Sequence, residues 1–242
     1  MNGARSEAAT DCGWEIVAPE RLSAGIPLSK VTAEFLAELS EFRGRILYAN
    51  GRRPGFVREG GGYADDDPLD ADSFHVTVRA AGALIGCARV TPMPEYGRSF
   101  IGRRFGPSCL ASVVQLMKLA RTDCAEVGRW IMAPPWRRRE VGYLLLLSMW
   151  VVGRWLDKRC LFGAVGGRDG QSNMVLRSGG HLAPGIHPLF VSALDDELSV
   201  MYFDLCHPPP KIDAPLWRVR RMLQLPERGD TTRLECVARS SA

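Results

Sequence analysis

The residues of this chain whose types and spacing could do chemistry are concentrated between positions 126 and 142. Glu126-Val-Gly-Arg129 sets a carboxylate and a guanidinium around a short uncharged stretch, a pairing that can move a proton or grip a charged substrate. Pro134-Pro135 then stops the extended segment, since proline supplies no ladder donor and disfavours a helical predecessor. Arg137, Arg138 and Arg139 follow, and Gly142 opens a long apolar run. Backbone N–H groups at a helix start, with arginines beside them, suit a phosphate. The stretch reads as a buried strand over 126–132, a basic phosphate loop over 133–141 and a helix over 142–157.

Length and composition bound what such a site can belong to. The 242 residues fit one domain with appendages and support a sizeable core. A hydrophobic content of 46% with 24% charge is ordinary for a globular protein. The net charge of +4 is mild and calls for no nucleic acid, yet residues 137–159 carry six Arg/Lys against two acids. That surface would attract an acidic partner or a phosphorylated ligand. Seven scattered cysteines without a C-x-x-C argue against a disulfide framework or a zinc site and for a reducing cytosol, so no metal is expected. The first residues lack the apolar core of a secretion signal, and the longest apolar run, Val141 to Val152, is too short for a bilayer. The expected protein is cytoplasmic, without stable membrane insertion.

The elements that must position these groups follow from pattern. Residues 1–13 read as a flexible leader and Trp14-Glu-Ile-Val17 as a short strand. Ser29 is placed to cap a helix from Lys30 to Tyr48, with Val31, Phe35, Leu36, Leu39, Phe42 and Ile46 at helical spacing. A glycine-rich segment leads into the acidic run Asp65-Asp66-Asp67-Pro-Leu-Asp70-Ala-Asp72. Phe74, Val76 and Val78 then alternate with His75, Thr77 and Arg79, and Ala81-Gly82 turns the chain into a return strand over Leu84–Val90. Residues 91–125 form a long connection with one helix near 110–119. After the central strand and helix come a strand at Cys160–Val165, a helix at Gln171–Ser178, strands at 187–193 and 199–205, and a short helix at 214–224. The order predicts an α/β fold with a mixed sheet in a single domain over 14–225, and a loose tail over 226–242.

Two resemblances sharpen this. Arg139-Glu-Val-Gly142-Tyr-Leu144 resembles the R-x-x-G-x-G/A pyrophosphate loop of the GNAT acyltransferases, with Leu144 in place of the final small residue. Asp67-Pro-Leu-Asp70, then His75, then Gly86-Cys-Ala-Arg89, then Glu126-Val-Gly-Arg129 resemble, in order and spacing over roughly 40–205, the acyl-homoserine-lactone synthases and the related N-acyl amino acid synthases. The resemblance implies the GNAT (acyl-CoA N-acyltransferase-like) fold, a mixed central sheet flanked by helices. It also implies an acceptor pocket lined by Arg43 (or Arg45) on the first helix, Asp67, Asp70, Arg89, Glu126 and Arg129. Two departures favour the amino acid synthases: Tyr48 and Phe56 stand where an aromatic pair ending in tryptophan is expected, and Gly128 stands where the lactone enzymes usually carry serine.

The implied activity moves a fatty acyl group from a thioester to an amine. The donor would be acyl carrier protein or coenzyme A, the carrier being favoured by Leu144 and by the basic surface of Arg137–Arg139, Arg154 and Lys158. No tightly bound cofactor is expected. The amine must lose a proton as it attacks, a task for Glu126 unless that carboxylate simply pairs with Arg129. Backbone N–H groups at 131–133 could receive the oxyanion. Arg89 or Arg129 would grip an acceptor carboxylate bidentately, unless each is held by an aspartate of 65–72. The apolar helix over 142–157 is either core or the wall of a fatty-acyl tunnel. A lactone synthase using S-adenosylmethionine, or an inactive acyl-binding module, would share the same skeleton.

Overall fold

The computed structural model describes residues 12–20, 28–49, 51–137 and 139–225, so the expected leader lies almost wholly, and the tail entirely, outside the described residues. Its elements are β1 (Gly13–Ala18), β2 (Ser29–Lys30), α1 (Ala33–Tyr48), β3 (Phe74–Ala80), β4 (Ala83–Pro92), α2 (Phe100–Phe105), α3 (Pro107–Leu116), β5 (Cys124–Met132), α4 (Glu140–Trp155), β6 (Cys160–Gly166), α5 (Gln171–Arg177), β7 (His181–Leu182), β8 (Leu189–Val191), β9 (Asp196–Asp204) and α6 (Asp213–Met222). The sheet is mixed and flanked by helices, as the pattern predicts. None of the described helices is long and apolar enough to cross a membrane. The residues divide into two compact units.

The first unit holds the described residues up to Arg89, then Arg129–Leu146 and Phe190–Asp196. β1 pairs antiparallel with β3, Ile16 opposite Val76, and parallel with β2. The β3–β4 hairpin turns where expected: Ala81 and Gly82 have φ of 48° and 80°, the left-handed values a two-residue turn requires. Helix α1 starts later than its sequence suggests. Ser29 belongs to β2 and donates its hydroxyl to Glu15, while Thr32 caps the helix by accepting the Phe35 N–H at 3.2 Å. Leu39, Phe42, Cys87 and Ile131 form the core here. Gly44 matters most on α1. A Cβ there would lie 2.6 Å from the Ala64 carbonyl carbon, so only glycine lets the 63–65 backbone lie flat on the helix.

The second unit holds Val90–Gly128, Leu147–Leu189 and the described residues from Glu197 onward. β5 runs parallel to β6 from Cys124↔Cys160 to Val127↔Gly163, and β6 and β7 both pair antiparallel with β9. The connection after β4 carries two helices rather than one. Ser99 caps α2 by accepting the Gly102 N–H, and Gly106 (φ 98°) with Pro107 separates α2 from α3. Ile101, Leu110, Val113, Val114 and Phe162 pack together beneath them. Trp150 of α4 is fully buried and meets the Phe203 ring edge-on at 5.3 Å. The apolar surface of α4 in this unit therefore packs as core.

Candidate functional site

In the first unit, side chains from four separate stretches close into one largely buried ring. Arg43 of α1 reaches Asp70 with both terminal nitrogens and lies 3.1 Å from Asp65 through Nε. Arg89 of β4 lies 2.8 Å from Asp70 and 3.2 Å from Asp67. Arg129 of β5 lies 2.8 Å from Asp67 and 3.1 Å from Asp65. Each arginine thus touches two aspartates and each aspartate two arginines, three cations against three anions. Placing six charges here, five of them buried and Arg129 half-buried, is tolerable because cations and anions alternate. The backbone contributes to that balance: Arg43 also donates to the Asp65 carbonyl at 2.6 Å, and the Leu69 N–H donates to Asp67 at 3.0 Å.

The chain positions these groups by short-range devices. Asp65, Asp66 and Asp67 run extended before Pro68, as a residue preceding proline should. Side chains therefore alternate, with Asp65 and Asp67 buried and Asp66 turned out to Ser40 and Arg58. The Asp65 N–H donates to the Ser40 carbonyl and lies 3.1 Å from its hydroxyl, which fixes this run on α1 beside Gly44. Arg129 sits in the left-handed region at φ 53°, uncommon for a non-glycine residue and unfavourable by about 1–3 kcal/mol. Its two ion pairs hold it there, and its carbonyl accepts the Cys87 thiol.

The electrostatics follow from this packing. Burial alone would raise the Asp70 carboxyl, but the Arg43 hydrogen bonds and the Arg43 and Arg89 charges outweigh it and hold Asp70 well below the usual carboxylate range. Asp67 is lowered in the same way, with Arg89 and Arg129 overcoming its desolvation. His75 lies beside them, its Nε2 donating to the Asp70 carbonyl at 2.8 Å and its ring edge-on to Phe35. Burial brings it down to about 4, so it is a neutral sheet histidine at ordinary pH. Burial likewise pushes the Cys87 thiol up to about 12.

Five of the residues singled out in the sequence, Arg43, Asp67, Asp70, Arg89 and Arg129, are brought together here. Of the two readings open for Arg89 and Arg129, the contacts match pairing with the aspartates of 65–72. Arg89 and Arg129 are occupied by aspartates and do not stand open as a fork for an acceptor carboxylate. Asp65 is the member that sequence reasoning missed, and the alternation ahead of Pro68 was the signal for it. Arg45, the second candidate on α1, is not a member of the ring; Arg43 alone reaches it.

Glu126 belongs to the second unit. It is buried, and its two oxygens accept the Phe100 and Ile101 N–H groups at 3.0 and 3.1 Å. These are orphan donors of the first turn of α2, and a carboxylate there is favoured by the helix dipole. Asp65 and Asp67 take the guanidinium of Arg129 described above.

The basic loop also differs from its sequence image. Helix α4 begins at Glu140, two residues before Gly142, whose N–H already donates to the Arg139 carbonyl and whose carbonyl accepts the Trp130 indole N–H. Gly142 is needed for space, because a Cβ would press on the Arg137 carbonyl at 3.2 Å. Arg137 donates Nε to the Met132 carbonyl, and Arg139 stacks 4.6 Å above the Trp136 ring. Arg138 lies outside the described residues. Of the N–H groups proposed for an oxyanion, that of Ala133 donates to Ile85.

No protein-family model and no curated protein matches the chain. Solved structures do. A CoA-dependent acyl-homoserine lactone synthase, BjaI, determined with MTA, superposes with a TM-score of 0.59 at 14% identity, covering 95% of this chain and 99% of its own. The AHL synthase LasI gives 0.57 at 13% identity over 90% and 98%. TofI, in a ternary complex with an inhibitor and MTA, gives 0.56 at 21% identity over 88% and 97%. The chain has the acyl-homoserine lactone synthase fold. At these identities the likeness establishes architecture, and the chemistry rests on the residues.

Proposed function

We propose that this protein is an N-acyltransferase that moves a fatty acyl group from a phosphopantetheine thioester to the amine of an amino acid or a related small molecule. The observation that carries the reading is the closed ring of Arg43, Asp65, Asp67, Asp70, Arg89 and Arg129. Five of these are the residues assigned to the acceptor side by resemblance, and they converge within a lactone-synthase fold. A ring saturated in charge is a rigid wall with fixed dipoles. Such a wall orients an amine and a polar head group without reorganising during the reaction.

In the reaction the amine nitrogen attacks the thioester carbonyl, the C–N bond forms, the C–S bond breaks and the thiol leaves. The proton released by the amine goes to a carboxylate, directly or through water. Glu126 is assigned that task; its two oxygens accept the Phe100 and Ile101 N–H groups, which fixes the carboxylate in place. Arg137 and Arg139 would meet the donor's phosphate, with Arg139 held in place by Trp136. The favoured donor is acyl carrier protein, with acyl-coenzyme A the other source of the same arm.

A second acceptor, S-adenosylmethionine with lactone as product, is favoured by the fold neighbours, one of which was determined with SAM and isopentyl-CoA. The stretch after α1 speaks for a plain amino acid. Tyr48 is packed against Tyr63 at 5.4 Å, and buried Arg53 lies 3.9 Å from Asp196. Mass spectrometry of lipid extracts from cells overexpressing the protein tests the reading. N-acyl amino acids absent from a Glu126→Gln control are expected; extracts with no new acylated amine would refute it.

A further inference from the structure

Helix α6 (Asp213–Met222) is the last element of the second unit among the described residues, and its two faces are unalike. Leu216, Val219 and Leu223 recur at intervals of three and four and are buried, so this face seats the helix on the unit. Trp217, Arg220 and Arg221 recur at the same intervals one position on, and all three are exposed. Residues three and four apart share a helix face, so the two arginines stand on either side of the indole. Trp217 keeps 61% of its surface exposed, with Arg221 stacked over its ring at 4.9 Å. Among the described residues, Arg220 and Arg221 meet no carboxylate. Asp213 lies one turn earlier on this face, in the first turn of the helix, where the helix dipole favours an acid. It is the one acid between 207 and 225, against Lys211, Arg218, Arg220 and Arg221.

What such a face can grip follows from side-chain chemistry. An indole is apolar over its rings and polar at one N–H, a combination suited to the boundary between lipid headgroups and acyl chains. A guanidinium stacked on an aromatic ring still presents edge donors in a plane that matches a phosphate. A free phosphate would use the arginines and leave the indole idle. An acidic protein would need a pocket shaped to the indole, whereas acyl chains adapt to it. Cations flanking an aromatic ring on the outer face of a surface helix complement an anionic bilayer in both charge and polarity. The helix is already formed and seated by Leu216 and Val219, so contact has little left to order.

We propose that the outward face of α6 seats the protein on an anionic phospholipid surface. Trp217 enters at the headgroup level, and Arg220 and Arg221 meet lipid phosphates. The attachment is peripheral, since one aromatic ring and a few cations give a reversible, salt-sensitive hold. It goes beyond acyl transfer and does not rest on it.

The test is cosedimentation of the purified full chain with vesicles of phosphatidylcholine, alone or mixed with phosphatidylglycerol. Binding should require phosphatidylglycerol and fall as salt is raised. Arg220→Gln combined with Arg221→Gln removes two charges and should weaken binding by roughly thirtyfold, about fivefold for each cation. Tryptophan emission of the native chain should move to shorter wavelength on the vesicles, and Trp217→Phe should lose that shift. The urea midpoints of these variants should match that of the native chain. Equal binding to both vesicle types, or unchanged binding in the folded variants, would overturn the proposal. So would a Trp217 that iodide cannot quench in the lipid-free chain, read as the difference between native and Trp217→Phe, because the 226–242 segment or a second copy would then cover it. Binding to a single-stranded oligonucleotide that the variants lose, with no vesicle binding, would reassign the face to nucleic acid. Vesicle binding is read without any assay of acyl transfer, so either reading can fail alone.

Discussion

Acid should loosen the first unit through His75 before it touches Asp67 and Asp70. This histidine sits on β3 beside the charged ring, 1% exposed, with Nε2 donating to the Asp70 carbonyl. Burial holds its folded value at about 4, against an ordinary 6.5. As pH falls below 6.5 the unfolded chain takes up the proton first, so the neutral folded form loses ground steadily until pH approaches 4. Across that interval the linkage amounts to about 3 kcal/mol, at roughly 1.4 kcal/mol for each pH unit separating the two states. Asp67 and Asp70 do not confound this window. Asp67 and Asp70 are shifted downward by their arginines, so their contribution is present above the ordinary carboxylate range and fades only as pH falls beneath it. The assay is urea unfolding followed by circular dichroism at pH 7 and pH 4.5, for the native chain and for His75→Gln. The native chain should lose about 2–3 kcal/mol more over that step than the variant does. Identical pH dependence in the two would refute the assignment of His75 as a buried neutral group.

Three further perturbations follow from the same contacts. Glu126→Gln replaces one carboxylate oxygen by an amide donor facing a backbone N–H, so it should lower stability by about 1–3 kcal/mol as well as turnover, read by urea unfolding and steady-state kinetics; unchanged values in both would remove Glu126 from either role. Gly44→Ala should destabilise by about 1–3 kcal/mol despite alanine's better helix propensity, because its Cβ would meet the Ala64 backbone; a stabilised variant in thermal unfolding would contradict that contact. Asp65→Ala leaves buried Arg43 and Arg89 and half-buried Arg129 with two aspartates and should cost about 3–5 kcal/mol, whereas Asp66→Ala next to it, exposed, should cost little by the same measurement.

How far the sequence could be read follows from which forces act locally. The β3–β4 hairpin, β5, β6 and α5 were legible because alternation, turn residues and terminal glycines are short-range signals. The start of α1 was misplaced because two hydroxyl residues competed for the cap, and Ser29 was drawn away by pairing with β1. The start of α4 was misplaced because Gly142 looked like a boundary, although its role is to make room for the Arg137 carbonyl. Helix α2 escaped notice because its six residues are too few to show a period. At the site, residue types pointed to Arg43, Asp67, Asp70, Arg89 and Arg129. That Arg89 and Arg129 are held by aspartates of 65–72 was one of the two readings the residues allowed, but nothing local shows that the pairs close into a ring. That closure joins residues far apart in sequence, and Asp65 entered through backbone alternation rather than through a motif.

The most direct test of acyl transfer to an amine is a competition on the purified protein. One acyl-carrier donor is supplied with a mixture of amino acids and S-adenosylmethionine, and all products are resolved by mass. The expected result is an N-acyl amino acid formed with stoichiometric release of the carrier thiol, and lost when Arg89→Ala opens the ring. Lactone as the main product would move the acceptor to S-adenosylmethionine within the same chemistry. Thiol release without any acylated amine, or no release at all, would contradict the account.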